Sequence, residues 1–516
     1  MQKAFPVLAL ALVWALVAVA GFTLGSISTR VKADANDLSG AKPDRPAALL
    51  ANPPGVHGGD DQAAGQAEVT SRAGEIVGDD FDASVRPVRV RTCQIPDSLV
   101  QDLAGDLAVA VSLAGGDTEV SPLLFGINEG TAVAPASVVK LFTAVAALET
   151  LGPDFRFRTR VVGGDVPGEI WLIGGGDVTL TRAAGWNYYD SEAHLEELAA
   201  TTVAALVGGD SWANQGGDAG ISRVWVDDSR YERFDRWDES WRPGSAALGY
   251  IAPVSALQVD GDRDHPGVRL SPRSTDPSAR AAQWFADALW RSGGGNPEVA
   301  RGDAAPEGRV LAEVASAPLS QLLRIMLVDS DNSLAEVISR EVALSLDPRG
   351  ERGLTPGEAV REAVQAVFVR SGRVSKDVLE GAVIHDGSGL SSRGAISAES
   401  VLSLLQLIER SPELEQVHSS LPVAGQSGSL RKRYRVVSSD LQGLVRAKTG
   451  SIRGTRSLAG YLESPGGHSS AGDRLAFSLV LSGDRVSDAS RNDIDRLVGA
   501  LALCGENLAD WSGSNN

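Results

Sequence analysis

The two cysteines of this 516-residue chain place the strongest constraint on its fold. Cys93 follows a long segment that contains few apolar side chains, and Cys504 lies twelve positions before the last residue. If the two form a disulfide, the first and the last folded elements lie side by side, so that one domain both begins and ends the fold. Two separate buried thiols are the alternative.

A disulfide needs an oxidising compartment, and the N-terminal residues predict export. An apolar run from Ala4 to Gly25, in which Thr23 is the only clearly polar residue, is long enough to span about 30 Å of hydrocarbon. Ala18-Val19-Ala20 also offers a cleavage site, so residues 1–30 are a membrane anchor, which their length favours, or a cleaved signal peptide. Either reading predicts an extracytoplasmic protein of the cell envelope, membrane-anchored or secreted.

Residues 31–90 are rich in Ala, Gly, Asp and Pro, and Phe81 is their only aromatic residue. This composition predicts a disordered tether, although an N-terminal extension without a spacer role is an alternative. The net charge of −18 argues against binding to nucleic acid or to an anionic surface by charge alone.

Strand-like and helix-like patterns at both ends of the remaining chain predict one α+β domain with helices packed on an antiparallel sheet. The predicted strands are 107–113, 123–127, 457–463 and 475–483, and the closing helix is 488–507. Between them, residues 155–309 contain eight of the ten tryptophans and no lysine, which predicts an inserted domain. Residues 91–154 and 310–516 would then form the main domain. The eight tryptophans within 155–309 are interpreted as core residues of the inserted domain, with sugar stacking as the alternative.

An unusual lysine interrupts an apolar helix in the main domain. The run from Ala134 to Leu148 is apolar around most of its circumference, yet it contains Lys140, one of only seven lysines among 48 basic residues. Ser137 and Lys140 share one helix face, and a buried lysine with a lowered pKa can accept the proton of a serine hydroxyl. A lysine that extends its ammonium group from a core helix to solvent is the alternative.

Two further motifs follow in the order that nucleophilic acyl transfer requires. Ser330-Asp331-Asn332 lies within a predicted helix, 322–344, and Lys448-Thr449-Gly450 leads into a predicted strand. The combination S-x-x-K, S-x-N, K-T-G is the signature of penicillin-recognising serine enzymes. Ser429 and Lys432 form a second S-x-x-K, but they lie in a basic patch with no S-x-N before Lys448.

With these motifs the chain resembles the low-molecular-mass class C penicillin-binding proteins, which are D-alanyl-D-alanine carboxypeptidases and endopeptidases. The resemblance extends from about residue 94 to residue 508 and includes further segments: Leu172–Asp177, Tyr250–Leu257, His385–Ser391, Leu421–Gly425, Gly428–Arg431 and Arg446–Gly450. It implies a penicillin-binding transpeptidase-like fold with an inserted domain. Val178, where the family usually has proline, and the segment Ser392–Gly394 depart from the family pattern.

The resemblance implies roles for the first four site residues. Ser137 would attack the carbonyl between two terminal D-alanines of a peptidoglycan stem peptide, and neutral Lys140 would act as the base. Ser330 would relay a proton to the departing amine, and Asn332 would hold Lys140 and the substrate amide.

The K-T-G strand would bind the substrate. Lys448 would supply positive potential, Thr449 would bind the terminal carboxylate beside Gly450, and the backbone N–H groups of Ser137 and Ser451 would form the oxyanion hole. Peptidoglycan peptides and β-lactams are the expected ligands, and neither a metal nor a cofactor is implied. A class A β-lactamase and a non-hydrolytic β-lactam or muropeptide sensor are the alternative functions.

Overall fold

The structure is a computed structural model, and it describes residues 91–115, 121–185, 187–208, 220–372, 377–435, 439–463 and 474–509. The predicted membrane segment at 1–30 and the predicted tether at 31–90 lie outside the described residues. Within the described ranges, no helix is both long and apolar enough to cross a membrane.

Helices and strands are interspersed along the described chain, with five successive α-helices between β7 and β8. The strands are β1 (Asp106–Leu113), β2 (Leu123–Ile127), β3 (Arg158–Gly163), β4 (Glu169–Ile173), β5 (Arg223–Asp227), β6 (Glu298–Arg301), β7 (Val310–Ala315), β8 (Val445–Ile452), β9 (Thr455–Leu462) and β10 (Leu475–Ser482). The α-helices are α1 (Ser98–Gln101), α2 (Val139–Thr150), α3 (Leu195–Val207), α4 (Pro277–Arg291), α5 (Leu319–Val328), α6 (Asn332–Leu346), α7 (Pro356–Ser371), α8 (Ala398–Arg410), α9 (Glu415–Ser419) and α10 (Arg491–Cys504).

The first sheet combines strands from both ends of the chain. Its order is β2-β1-β10-β9-β8, and every neighbouring pair is antiparallel. Strand β1 lies between β2 and the central strand β10, so a strand from the start of the described chain pairs with one of its last strands. The predicted α+β fold class is confirmed.

Both faces of this sheet are covered because its strands are apolar on both sides. Along β1, Ala108 and Ala110 pack into the large hydrophobic cluster that contains α2, α5, α6 and α8. Leu107 and Val109 point to the opposite face, where they join the cluster that includes Leu497 of α10. The small alanines let the helices with the candidate site approach the sheet closely.

A second, mixed sheet has the order β6-β5-β4-β3-β7. It carries apolar side chains from β3, β4 and β5 against α3 and α4. Trp171 and Trp225 stack with ring centroids 5.6 Å apart, and the indole N–H of Trp225 donates to Glu169 at 2.7 Å, which is a packing role for these two rings. The strands from β3 to β6 lie within the predicted insert, whereas β7 lies just past its predicted boundary at 309.

Cys93 and Cys504 are joined by a disulfide, with 5.4 Å between their Cα atoms. The backbone of Cys93 also pairs with the C-terminal residues, since its N–H donates to the carbonyl of Asn507 at 3.0 Å. The first described segment and the end of α10 are therefore tied together beside the first sheet. Both sulfurs belong to the cluster on the face opposite α2 and take no part in the candidate site described below.

Reduction of this disulfide is expected to destabilise the main domain. The bond closes a loop of 411 residues, so its loss should lower the free energy of unfolding by about 2–5 kcal/mol. Urea unfolding of Cys504→Ser against the oxidised parent, in the absence of reductant, measures this difference. Equal midpoints for the two proteins would contradict the prediction.

Candidate active site

The candidate nucleophile lies on a tight turn before α2. Residues Ala136–Val138 form one 3-10 turn, and the half-buried Ser137 stands at its centre, open to the cleft. Ala136 has a φ of 53°, a conformation that costs a non-glycine residue free energy. The carbonyl oxygen of Pro135 accepts a hydrogen bond from Ser457 of β9 at 2.7 Å, which fixes the turn to the first sheet.

Lys140, the second residue of α2, is completely buried, and its ammonium group faces the nucleophile. The Nζ atom lies 3.2 Å from Ser137 Oγ and 2.8 Å from Asn332 Oδ1. It also donates to the carbonyl oxygen of Ser388 at 2.6 Å. Burial lowers the pKa of Lys140 to about 8, against nearby carboxylates that oppose this shift, of which Asp386 is the strongest. A neutral amine is therefore accessible to Lys140 near physiological pH.

The sequence predicted that the Ser330 motif lies inside one helix, 322–344. The structure instead places Ser330 between two helices. Helix α5 ends at Val328 and α6 begins at Asn332, and the chain turns sharply between them. The reason is local: Ser330 adopts a φ of 58°, and Asp331 caps α6 by accepting the N–H of Leu334 at 3.0 Å. This break turns the side chain of Ser330 toward Lys448, whose Nζ atom lies 2.8 Å from Ser330 Oγ.

The K-T-G motif lies on β8, the strand at the edge of the first sheet beside the nucleophile turn. Lys448 Nζ donates to Ser330 Oγ at 2.8 Å and to the carbonyl of Thr449 at 2.9 Å. Burial and the neighbouring Lys140 hold the pKa of Lys448 well below its usual value. Gly450 is needed for close approach, because a Cβ there would lie 2.8 Å from the carbonyl oxygen of Pro135 and closer still to Ser457.

The predicted site residues fall into two hydrogen-bonded groups, which Ser330 and Asn332, two positions apart in the chain, bring together. Ser137, Lys140 and Asn332 make one group, and Ser330, Lys448 and Thr449 make the other. Neither Lys140 nor Lys448 has any exposed surface, whereas Ser137 and Thr449 are partly open to solvent. Ser451, two positions beyond Thr449 on the same strand, is exposed. Such a serine, a buried amine at its hydroxyl and a second serine–lysine pair can perform acyl transfer.

These motifs agree with comparisons against known proteins. A model of the D-Ala-D-Ala carboxypeptidase 3 (S13) family matches residues 97–270 and 262–503. The chain belongs to this family. As an S13 carboxypeptidase it is a serine-type D-Ala-D-Ala carboxypeptidase, a hydrolase, and the predicted resemblance is confirmed.

Individual S13 relatives cover most of the described chain. Carboxypeptidase DacB of Mycolicibacterium smegmatis is 34% identical over 384 residues, which are 72% of this chain and 75% of that protein. Penicillin-binding protein 4 (dacB) of Haemophilus influenzae has a similar fold, with a TM-score of 0.61 at 22% identity over 79% of this chain and 99% of that one. Its complex with a β-lactam gives a TM-score of 0.56 at 21% identity, over 78% and 98% of the two chains.

Three groups behind Lys140 were not predicted as site residues of this S13 carboxypeptidase. The carbonyl of Ser388 receives the ammonium group, and the N–H of Ser388 donates to the buried carboxylate of Glu336 at 2.9 Å. Asp386 holds the same loop, since it accepts the N–H of Gly389 at 2.6 Å and the indole N–H of Trp241 at 2.8 Å. The segment His385–Ser391, which carried part of the family resemblance, was the available signal.

The second S-x-x-K also contributes a residue to the S13 site. Ser429 Oγ accepts a hydrogen bond from Thr449 Oγ1 at 2.8 Å, although Lys432 is exposed. Sequence order excluded this pair as nucleophile and base, and the structure places Ser429 beside the K-T-G strand instead. Its role is to orient the hydroxyl of Thr449.

Proposed function

We propose that this chain hydrolyses the terminal D-Ala-D-Ala bond of peptidoglycan stem peptides through an acyl-enzyme on Ser137. The observation that carries the proposal is the contact between the buried amine of Lys140 and the Ser137 hydroxyl, 3.2 Å. Neutral Lys140 accepts the hydroxyl proton as Ser137 Oγ attacks the carbonyl carbon. Asn332 and the carbonyl of Ser388 orient the amine for this transfer.

Backbone N–H groups of Ser137 and Ser451 would stabilise the negative oxygen of the tetrahedral intermediate. The direction of β8 supports this assignment. The N–H of Ala447 donates to the carbonyl of Pro422, which lies on the side of β8 away from β9. Because alternate residues of a strand direct their N–H groups to the same edge, the N–H of Ser451 also faces outward. Strand β8 also lies against the nucleophile turn, since a Cβ at Gly450 would lie 2.8 Å from the carbonyl oxygen of Pro135.

Departure of D-alanine requires a proton on its nitrogen. Ser330 Oγ, which accepts a hydrogen bond from Lys448, would pass a proton to that nitrogen and regain one from Lys448. Thr449 would bind the carboxylate of the departing residue. Water then hydrolyses the ester on Ser137 and releases the shortened peptide.

β-Lactams present the same kind of carbonyl and are proposed to acylate Ser137. Cleavage of peptide cross-links is proposed for the same residues, because the chemical step is the same. Peptidoglycan as substrate and the disulfide between Cys93 and Cys504 support an extracytoplasmic location. Attachment of residues 1–30 to a membrane, the tether at 31–90 and the domain limits at 155 and 309 remain predictions from the sequence.

The pH profile of acylation tests the proposed base. Because only neutral Lys140 can accept the proton, kcat/KM for a D-Ala-D-Ala peptide is expected to rise with pH through about 8 and to level off above it. Lys140→Arg keeps the charge but stays protonated throughout this range, so this variant should lack the rising limb. Release of D-alanine at several pH values measures both profiles. A flat profile for the parent between pH 6 and 10 would contradict the role of Lys140.

A further inference from the structure

The turn that carries Ser330 is held both by the end of α5 and by side chains from outside the two neighbouring helices. A φ of 58° is unfavourable for serine and costs about 1–3 kcal/mol, so it persists only where surrounding contacts enforce it. The end of α5 supplies part of these contacts, because the N–H of Asp331 donates to the carbonyl oxygen of Met326 at 3.1 Å and that of Asp329 donates to the carbonyl oxygen of Ile325 at 3.1 Å. The side chain of Asp331 carries further contacts, which come from outside the two helices.

The carboxylate of Asp331 is bound by two side chains from the predicted insert. Tyr189 donates its hydroxyl hydrogen to Asp331 Oδ2 at 2.9 Å, and Arg263 Nη2 lies 3.3 Å from the same oxygen. All three side chains are almost fully buried. Burial alone would raise the pKa of Asp331, but Arg263 and the N–H of Leu334 hold it below its usual value. The carboxylate therefore stays charged and binds both partners strongly.

Other parts of the same region hold the residues on either side. The guanidinium group of Arg269 donates to the carbonyl oxygen of Asp329, directly before Ser330. The side-chain amide of Asn332 donates to the carbonyl oxygen of Tyr250 at 3.0 Å. Residues from the predicted insert thus contact the turn at three positions, which are Asp329, Asp331 and Asn332.

Arg263 is itself held rigidly. It directly follows Asp260, Gly261 and Asp262, which all have positive φ values, 55°, 56° and 62°. The carboxylate of Asp260 accepts from Arg182 at 2.7 Å, and that of Asp262 accepts the N–H of Ser274 at 2.7 Å. The guanidinium carbon of Arg263 also lies 3.9 Å from the ring centre of Tyr188. This strained turn therefore fixes the cation that meets Asp331.

We propose that Tyr189 and Arg263 are positioning residues that act through Asp331 to aim Ser330 Oγ at the leaving-group nitrogen. In this account the predicted insert holds the proton relay of the main domain in place. The inference rests on the proposed role of Ser330. Its test must therefore distinguish a misplaced relay from a relay that does not exist.

Leaving-group dependence provides this distinction. An amine must be protonated in order to depart, whereas a thiolate departs without a proton. Tyr189→Phe removes one hydrogen bond to Asp331 and keeps the ring. Its acylation rate with a D-Ala-D-Ala peptide is expected to fall by about tenfold or more, because small misplacements of a catalytic group are costly. The rate with the matching thiolester is expected to change by less than about twofold, since that step does not use Ser330.

Tyr231→Phe is a matched control, because Tyr231 contacts α6, the same helix that Asp331 caps. Tyr231 donates to Glu341 of α6 at 2.7 Å, and Arg230 pairs with the same carboxylate at 2.6 Å, so the two arrangements are chemically alike. Glu341 lies ten positions beyond Asp331, away from the cleft. Tyr231→Phe should lower the melting temperature about as much as Tyr189→Phe does. It should nevertheless keep the parent's ratio of peptide to thiolester acylation rates.

Ser330→Ala separates the two hypotheses. If Ser330→Ala and Tyr189→Phe both lose peptide turnover selectively and Tyr231→Phe does not, the positioning role is supported. If Ser330→Ala is selective but Tyr189→Phe behaves as Tyr231→Phe does, the positioning proposal is wrong and the relay stands. If Ser330→Ala shows no selectivity, the relay itself is wrong.

Discussion

Replacement of Ser137 by alanine is expected to lower kcat/KM for a D-Ala-D-Ala peptide by about 10⁴-fold or more, because the acyl-enzyme can no longer form. The hydroxyl of Ser137 is the one that contacts buried Lys140. D-alanine release measures the loss, and thermal unfolding should show a folded variant.

Ser429→Ala is the matched comparison, since Ser429 begins the second S-x-x-K. Its hydroxyl contacts Thr449, so weaker peptide binding and a higher KM are expected. The variant should nevertheless form an acyl-enzyme. Loss of acylation in Ser429→Ala with retention in Ser137→Ala would exchange the two assignments.

Lys140→Met is expected to lower the acylation rate by about 10²–10⁴-fold, the usual contribution of a general base. Methionine approximates the shape of the buried lysine without an amine. The acceptors at Asn332 and Ser388 lose their donor, so a loss of about 1–3 kcal/mol in the free energy of unfolding is also expected. Stopped-flow acylation at saturating peptide separates the rate from this stability effect.

Lys432→Met is the control for Lys140→Met. Lys432 is exposed and occupies the corresponding position of the second S-x-x-K. Its replacement should leave acylation within about twofold of the parent, since exposed substitutions away from a site have small effects. Similar losses in Lys140→Met and Lys432→Met would contradict the assignment of the base.

The order and spacing of the motifs were sufficient to predict which residues meet in the cleft. The S-x-x-K, S-x-N and K-T-G segments require particular residues whose chemistry is visible in the sequence. The strands at both chain ends were also predictable, because their apolar runs are bounded by turn residues. Strand β7, 310–315, was missed as part of the second sheet, since a short strand carries no information about its partner.

The break at Ser330 could not be predicted from periodicity. Apolar residues continue at helical spacing on both sides of it, and a positive φ at serine has no sequence signature. The carbonyl of Ser388 that receives Lys140 is likewise invisible, because every residue has a carbonyl. The pairing of Asp331 with Arg263 joins residues 68 positions apart, so only the folded chain reveals it.

The most direct test of the account is the intact mass of the full-length chain after incubation with benzylpenicillin, beside Ser137→Ala, followed by an assay of D-alanine release from a D-Ala-D-Ala pentapeptide. A one-to-one covalent adduct that the variant lacks is expected, together with D-alanine release by the parent. An adduct without peptide turnover would contradict the carboxypeptidase mechanism and indicate a sensor. Neither adduct nor turnover would contradict the role of Ser137 itself.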